Sequence, residues 1–214
     1  MTDYLPTVEI ATSGQPSAAI IWLHGLGADG NDFVPMVPEL GLKNVRFVFP
    51  HAPVRPVTLN NGMPMRAWFD ILDLTRDTPP DMDGLAQSAA AVVQLIEREN
   101  ERGIETARIV LAGFSQGGAT ALYTALPYPE RLAGIIGLST WLPLRNLQSP
   151  VNRKTPVFLA HGEFDPVVNV SAGTATRDIL IEAGQDVEWH SYAMEHAVCP
   201  QEIHHVAEFL HRVL

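Results

Sequence analysis

The stretch from Arg108 to Thr120 constrains the fold more strongly than any other part of the chain. It opens with the apolar residues 109–111, Ile-Val-Leu, which predict a buried strand. Residues 113–117 then read Gly-Phe-Ser-Gln-Gly, and small residues follow, which predicts a sharp turn into a helix. Glycine at both ends of this pentapeptide leaves no Cβ where strand and helix would cross closely. A serine at the tip of such a turn, here Ser115, has the exposed hydroxyl that is typical of a nucleophile.

Length and composition indicate one folded domain over residues 1–214, since 46% of the residues are hydrophobic and only 18% are charged. The net charge of −10 argues against nucleic acid and anionic membrane surfaces as partners. We find no signal-peptide pattern and no apolar run of membrane-spanning length, and we therefore expect a cytoplasmic protein without integral membrane association. The single cysteine, Cys199, excludes an internal disulfide and a multi-cysteine metal site.

Strand and helix patterns alternate along most of the chain, which predicts a mostly parallel central sheet with helices on both faces. The predicted strands cover 8–10, 18–23, 45–49, 109–111, 132–138, 157–160 and 187–192. The predicted helices run from Asn31 or Asp32 to about 40, then over 85–102, from the turn at Ser115 to about 126, and over 171–183 and 201–213. The proline-rich segment 50–80 is predicted to be a long irregular loop with a functional role.

Two further residues complete a recognisable chemistry with Ser115. Asp165 follows the predicted strand 157–160, and His196 follows the predicted strand 187–192. The ends of parallel strands meet at one edge of a sheet, so all three side chains are expected to lie there. The chain order serine, aspartate, histidine is the order of an activated serine with its base and orienting carboxylate. The sequence contains no clustered ligands for a metal, and we expect none and no cofactor.

The strand 18–23 ends in a glycine-containing loop that begins at His24. A phosphate-binding loop is excluded because no Lys-Ser or Lys-Thr follows the glycines. We interpret His24 as a buried histidine that holds the loop by hydrogen bonds.

Five motifs occur in the order H-G-L-G, G-F-S-Q-G-G, W-L-P, H-G-x-x-D-P-V-V and M-x-H-x-V-C-P-x-E-I. Together they span His24 to Ile203, and the chain resembles the acyl-protein thioesterase and small carboxylesterase family of α/β-hydrolases. It departs from the family pattern at Ala28 and, beside the predicted base, at Ala193 and Glu195. The α/β-hydrolase fold is therefore expected, and fewer than twenty residues between 139 and 155 leave no room for a cap domain.

The resemblance implies Ser115 as nucleophile, Asp165 as orienter and His196 as base, with the backbone amides of Leu26 and Gln116 as the oxyanion hole. It implies a serine carboxylesterase for esters of short to medium acyl chains. An acyl-protein thioesterase (depalmitoylase) or a lysophospholipase is the alternative, and a non-catalytic binding protein on the same fold is a remote one. The expected partner is a small ester or thioester or an acylated protein, and a homodimer stays open.

Large side chains at the strand-end edge are the candidates for substrate contacts. They are Trp68, Phe69 and Leu72 from the long loop, Trp141 and Leu142 from the loop after strand 132–138, and Val167 and Val168. The segment 67–72 is either a plug over the sheet edge or a wall of a cleft, and the sequence does not separate these interpretations.

Overall fold

The structure is a computed structural model, and it describes residues 4–72, 80–143 and 152–214. Within these ranges the strands are β1 (Thr7–Ala11), β2 (Ala18–Leu23), β3 (Val45–Pro50), β4 (Val54–Val57), β5 (Met63–Arg66), β6 (Ile109–Phe114), β7 (Gly134–Leu138), β8 (Val157–Gly162) and β9 (Val187–Tyr192). The α-helices are α1 (Val37–Leu40), α2 (Met82–Glu101), α3 (Gln116–Ala125), α4 (Val170–Glu182) and α5 (Pro200–Val213).

Seven strands form one sheet in the order β1-β3-β2-β6-β7-β8-β9. Every pairing in it is parallel except that of β1 with β3, which is antiparallel and lies at the edge. Strand β2 is buried along its whole length, as its continuous apolar sequence predicts for a strand covered on both faces. The predicted mostly parallel sheet is confirmed.

Alternate residues of the central strands belong to two separate cores. Ile21 of β2 packs in one core with Leu85 of α2, and its neighbour Ile20 packs in the other with Phe209 of α5. This division follows from the two-residue period of a strand, which sends successive side chains to opposite faces. Helices therefore cover both faces of the sheet, as predicted.

The segment 50–80 contains a second sheet that the sequence analysis did not predict. Strands β4 and β5 form an antiparallel ribbon in which Pro56 lies opposite Pro64. Proline is tolerated because a two-stranded ribbon has free outer edges, where a missing N–H breaks no ladder. Residues 73–79 of this predicted loop lie outside the described residues, as do residues 144–151 of the loop predicted between 139 and 155.

The helix predicted from Asn31 or Asp32 to about residue 40 is wrong over its first half. Val34–Met36 forms a 3-10 turn, and only Val37–Leu40 is α-helical. Pro38 lacks a backbone N–H and so cannot donate the hydrogen bond that would extend the α-helix toward residue 34. Gly41 adopts a left-handed conformation with φ of 63° and ends the helix after Leu40.

Glu202 in the first turn of α5 makes folding stability depend on pH. Its side chain is 0% exposed, and burial raises its pKa to about 8. Between pH of about 4.5 and 8 the folded state holds a proton that the unfolded state releases, so stability falls as pH rises through this window.

We expect Glu202→Gln to be more stable than the wild type at pH 8 by roughly 1–3 kcal/mol, since one pKa unit corresponds to about 1.4 kcal/mol. Urea unfolding at pH 5 and pH 8 measures the difference. The exposed Glu208 on the same helix supplies the control, Glu208→Gln, whose free energy of unfolding should change with pH as in the wild type. The prediction is contradicted if the free energy of unfolding changes equally between pH 5 and pH 8 in the wild type and in Glu202→Gln.

Candidate active site

Ser115 lies at the turn between β6 and α3 in a strained backbone conformation. Its φ is 54° and its ψ is −121°, a region that residues with a side chain rarely adopt. The turn is so tight that it leaves no room for a Cβ at either glycine. A Cβ on Gly113 would lie 2.4 Å from the Gly117 carbonyl, and a Cβ on Gly117 would lie 2.4 Å from the Leu23 oxygen. Both glycines are therefore needed for the crossing of strand and helix that presents Ser115 at the edge of the sheet.

The side chains of Ser115, His196 and Asp165 form one continuous series of hydrogen bonds. The Ser115 hydroxyl lies 3.0 Å from His196 Nε2, and His196 Nδ1 lies 2.6 Å from Asp165 Oδ2. Since the carboxylate can only accept, Nδ1 carries the imidazole proton and Nε2 is left to accept from the serine. An imidazole in this tautomer can take the serine proton during attack on a carbonyl carbon.

The carboxylate of Asp165 is held by the backbone that follows it. Its Oδ1 accepts hydrogen bonds from the amides of Val167 and Val168, both at 2.8 Å. The buried His161 donates to the Val168 carbonyl oxygen at 2.7 Å, and burial lowers the pKa of His161, so this ring is neutral at pH 7. Asp165 is 4% exposed, and because the two amides bond to Oδ1, Oδ2 is the oxygen that faces His196.

The loop that carries His196 rests directly on the end of β8. A Cβ on Gly162 would lie 2.2 Å from the Glu195 carbonyl oxygen, and the Phe164 amide donates to the Met194 carbonyl oxygen at 3.0 Å. The ring of Phe114 packs against the imidazole of His196 with 4.7 Å between the ring centroids. These contacts set the position of the imidazole, and the sequence analysis assigned Gly162 and Phe114 no part in it.

Two backbone amides are the candidates for an oxyanion hole. The amide of Gln116 is the first of α3 and has no intrahelical acceptor by the geometry of a helix start. The amide of Leu26 makes no hydrogen bond to any residue in the described parts of the chain. Its loop is held by His24, whose Nδ1 donates to the Gly25 oxygen at 2.7 Å and whose Nε2 accepts from the Ala52 amide at 3.0 Å. The structure agrees with the interpretation of His24 as a buried, loop-holding residue.

The residues predicted to contact substrate fall into three groups. Trp68 and Phe69 are 0% and 2% exposed, so they cannot form the surface of an open cleft, and this correction favours the plug interpretation of segment 67–72. Val168 is 8% exposed and serves Asp165 through its amide. The others retain accessible surface: Leu72 and Val167 are 46% and 50% exposed, and Trp141 and Leu142 are partly buried.

Three further features of the site, besides the roles of Gly162 and Phe114, were not predicted from the sequence. The Gln116 side chain bonds to the backbone of residues 68 and 69, and Thr140 donates to the Ser115 carbonyl oxygen at 2.7 Å. Phe164, beside Asp165, is 66% exposed. Only Phe164 carried a signal, because a large apolar residue between Glu163 and Asp165 is unusual for a solvated loop.

Among the described residues, no group of three or more His, Cys, Asp or Glu side chains is arranged to hold a metal ion. No helix in the described ranges is long and apolar enough to cross a membrane.

The fold and these side chains define a serine hydrolase of the α/β-hydrolase class. More particularly, the chain belongs to the phospholipase/carboxylesterase family, whose model matches residues 6–214. It is 43% identical to acyl-protein thioesterase 1 of Mycosarcoma maydis, over 94% of this chain and 92% of that protein. It is 38% identical to acyl-protein thioesterase 1 of Neurospora crassa, over 96% of this chain and 90% of that protein.

Among solved structures, acyl-protein thioesterase 2 of Zea mays superposes with a TM-score of 0.85 and is 35% identical, covering 98% of this chain and 99% of that one. The structure of esterase PE8 has the same TM-score of 0.85 at 29% identity, covering 99% of both chains. The expected family and the α/β-hydrolase fold are thereby confirmed, and the protein is an enzyme that hydrolyses ester or thioester bonds.

Proposed function

We propose that the protein is an acyl-protein thioesterase, which releases a fatty acid from a cysteine thioester on another protein. The hydrogen-bonded series from Ser115 through His196 to Asp165 carries the proposal, since it supplies a nucleophile and a base for acyl transfer. The names of the relatives favour the thioesterase over the short-chain carboxylesterase that the sequence analysis put first.

In the first half-reaction, Ser115 Oγ bonds to the carbonyl carbon while His196 Nε2 accepts the serine proton. Asp165 stabilises the imidazolium through its bond to Nδ1. The amides of Leu26 and Gln116 donate to the carbonyl oxygen as it becomes negative. The carbon–sulfur bond then breaks, and the leaving thiolate takes the proton from His196.

In the second half-reaction, water attacks the acyl group on Ser115. His196 Nε2 accepts a proton from this water and returns it to Ser115 Oγ as the carbon–oxygen bond to the serine breaks. The products are a fatty acid and a protein thiol. No metal or cofactor takes part in either step as proposed.

A matched pair of substrates tests the leaving group. One peptide carries an octanoyl thioester on cysteine, and the other carries an octanoyl ester on serine at the same position. We expect the larger kcat/KM for the thioester, after correction for the rates of both with hydroxide. Preference for the serine ester and for short alkyl esters would favour the carboxylesterase, and preference for lysophosphatidylcholine would favour the lysophospholipase.

A fluorophosphonate probe separates catalysis from the remote alternative of a binding protein. Labelling of the wild type at Ser115, found by mass spectrometry of the labelled peptide, is expected from the activated hydroxyl. An unlabelled, folded wild type that turns over none of these substrates would refute the proposed function.

We expect kcat/KM to rise as the acyl chain becomes longer, because each added methylene is buried against the accessible apolar side chains near the site. Each buried methylene contributes about 0.8 kcal/mol, which is nearly fourfold in rate when realised in the transition state. The gain should end when the chain outgrows the cleft. Trp141 packs edge-on against Phe69 with 6.2 Å between ring centroids and retains exposed surface, so we assign it to the cleft wall.

Trp141→Ala should therefore lower kcat/KM more for long acyl chains than for the acetyl group, so that kcat/KM depends less on chain length than in the wild type. Acetyl to hexadecanoyl thioesters, assayed below their critical micelle concentrations, measure the slope. Tyr123→Ala is the matched control, because Tyr123 is a partly buried aromatic residue two turns along α3 from Ser115. Equal slowing of all chain lengths by Trp141→Ala would remove Trp141 from the proposed cleft.

A further inference from the structure

Every polar atom of Trp68 is engaged in a hydrogen bond inside the core. Its amide donates to Gln116 Oε1 at 2.8 Å, its indole Nε1 donates to the His24 carbonyl oxygen at 2.8 Å, and its own carbonyl accepts from the Ser88 hydroxyl. The side chain is 0% exposed. Packing alone does not require this arrangement, because Trp22 is equally buried and its indole nitrogen has no partner in the described structure.

The side chain of Gln116 completes the connection on the helix side. Its Oε1 accepts from the Trp68 amide, and its Nε2 donates to the Phe69 carbonyl oxygen at 2.7 Å. Both the oxygen and the nitrogen of the side-chain amide thus bond to one short segment of backbone. Gln116 is 0% exposed, so neither bond competes with water.

The indole of Trp68 reaches the backbone that leads to the second amide donor. Its acceptor, the His24 carbonyl oxygen, precedes Leu26 by two residues and lies against α3, where a Cβ on Gly117 would approach it to 2.5 Å. The contacts from Gln116 through Trp68 to His24 therefore join the start of α3 to the loop of Leu26. We call this set of three residues the brace.

We infer that the brace positions the two amides of the oxyanion hole relative to each other, and that Trp68 and Gln116 are positioning residues for the reaction. The inference rests on the proposed function, in which the amides of Leu26 and Gln116 stabilise the oxyanion. One donor starts α3 and the other lies in a loop after β2, and the brace is a hydrogen-bonded link between them that is built from buried residues. Because an oxyanion hole acts only on the charge that develops in the transition state, loosening the brace should lower kcat and leave KM nearly unchanged.

Trp68→Phe removes the indole N–H and keeps an aromatic ring in the core. We expect kcat to fall by about 10- to 100-fold, since a misplacement of about 1 Å can cost 10²-fold in rate. KM should stay within about threefold. The matched control is Trp22→Phe, which makes the same change at an indole that donates no hydrogen bond to any described residue, and its kcat should stay within about threefold of the wild type.

Gln116→Met tests the other end of the brace without altering the backbone amide of residue 116. It removes the bonds to residues 68 and 69 at nearly constant volume, and the same fall in kcat is expected. An alkyl boronic acid that adds to Ser115 gives an independent readout, because one oxygen of its tetrahedral adduct occupies the oxyanion position. Its affinity should fall in proportion to kcat/KM in both brace variants and not in Trp22→Phe.

Thermal unfolding of each variant accompanies these assays. The inference is overturned if Trp68→Phe and Gln116→Met keep the wild-type kcat and boronic acid affinity, or if Trp22→Phe loses as much as they do. It is also overturned if both brace variants fail to fold where Trp22→Phe folds, because the contacts would then serve stability. A wild type that is neither labelled at Ser115 nor active would instead refute the proposed function, so the two failures can be told apart.

Discussion

Ser115→Ala is expected to lower kcat by at least about 10⁴-fold, because it removes the atom that would carry the acyl group. Residual turnover above the uncatalysed rate should persist, since the amides of Leu26 and Gln116 remain. The variant should stay folded. Alanine has the same Cβ as serine at the positive φ of 54°, and the Ser115 hydroxyl caps no helix amide.

Ser139→Ala is a closely matched control for this substitution. Ser139 also has a positive φ, of 44°, is 0% exposed, and follows the strand next to β6. Its hydroxyl has no hydrogen-bond partner in the described structure, so its removal should leave kcat and the unfolding temperature near their wild-type values. A pure, folded Ser115→Ala enzyme with more than about a tenth of wild-type turnover would remove Ser115 from the mechanism.

The positions of Ser115, Asp165 and His196 were accessible to sequence analysis for a topological reason. Each follows an apolar strand, and parallel strands end at one edge, so three separate segments could be assigned to one place. The structure brings the three side chains within hydrogen-bonding distance. Their catalytic roles remain predictions that the variants described here test.

The role of Trp68 was not accessible, because hydrophobicity does not distinguish a buried plug from a cleft wall. Two of its hydrogen-bond partners, His24 and Gln116, lie 44 and 48 positions away, and no local pattern relates these positions. The motif around Ser115 requires its two glycines for steric reasons, but it assigns no role to the side chain of Gln116. The contribution of the Gln116 side chain therefore emerged only from the three-dimensional contacts.

The ribbon of β4 and β5 was missed because its sequence is rich in proline, which usually indicates irregular structure. A ribbon of two short strands escapes that rule, since half of its amides face outward. The ribbon still matters for the site, because the Arg66 carbonyl oxygen accepts from the Gly27 amide at 2.9 Å and so holds the loop beside Leu26.

Asp165→Asn is expected to lower kcat by about 10⁴-fold while the fold is kept, and the geometry explains why. Oδ1 of Asp165 accepts two backbone amides, from Val167 and Val168. An asparagine must place its carbonyl oxygen there, because its NH₂ group would oppose two donors. The NH₂ group then faces His196 Nδ1, which must become an acceptor.

This change moves the imidazole proton to Nε2, where it blocks acceptance of the Ser115 proton. The fall should therefore appear in the rate of nucleophilic attack by Ser115, measured as the rate of fluorophosphonate labelling, as well as in steady-state kcat. Glu163→Gln is the control: it removes one negative charge from the same loop, but in the described structure the Glu163 side chain accepts a hydrogen bond only from the Ser191 hydroxyl. The kcat of Glu163→Gln should stay within about threefold of the wild type. If the lost negative charge alone slowed the enzyme, both variants would be slowed alike. An Asp165→Asn enzyme that acylates at the wild-type rate would show that Asp165 does not set the tautomer of His196.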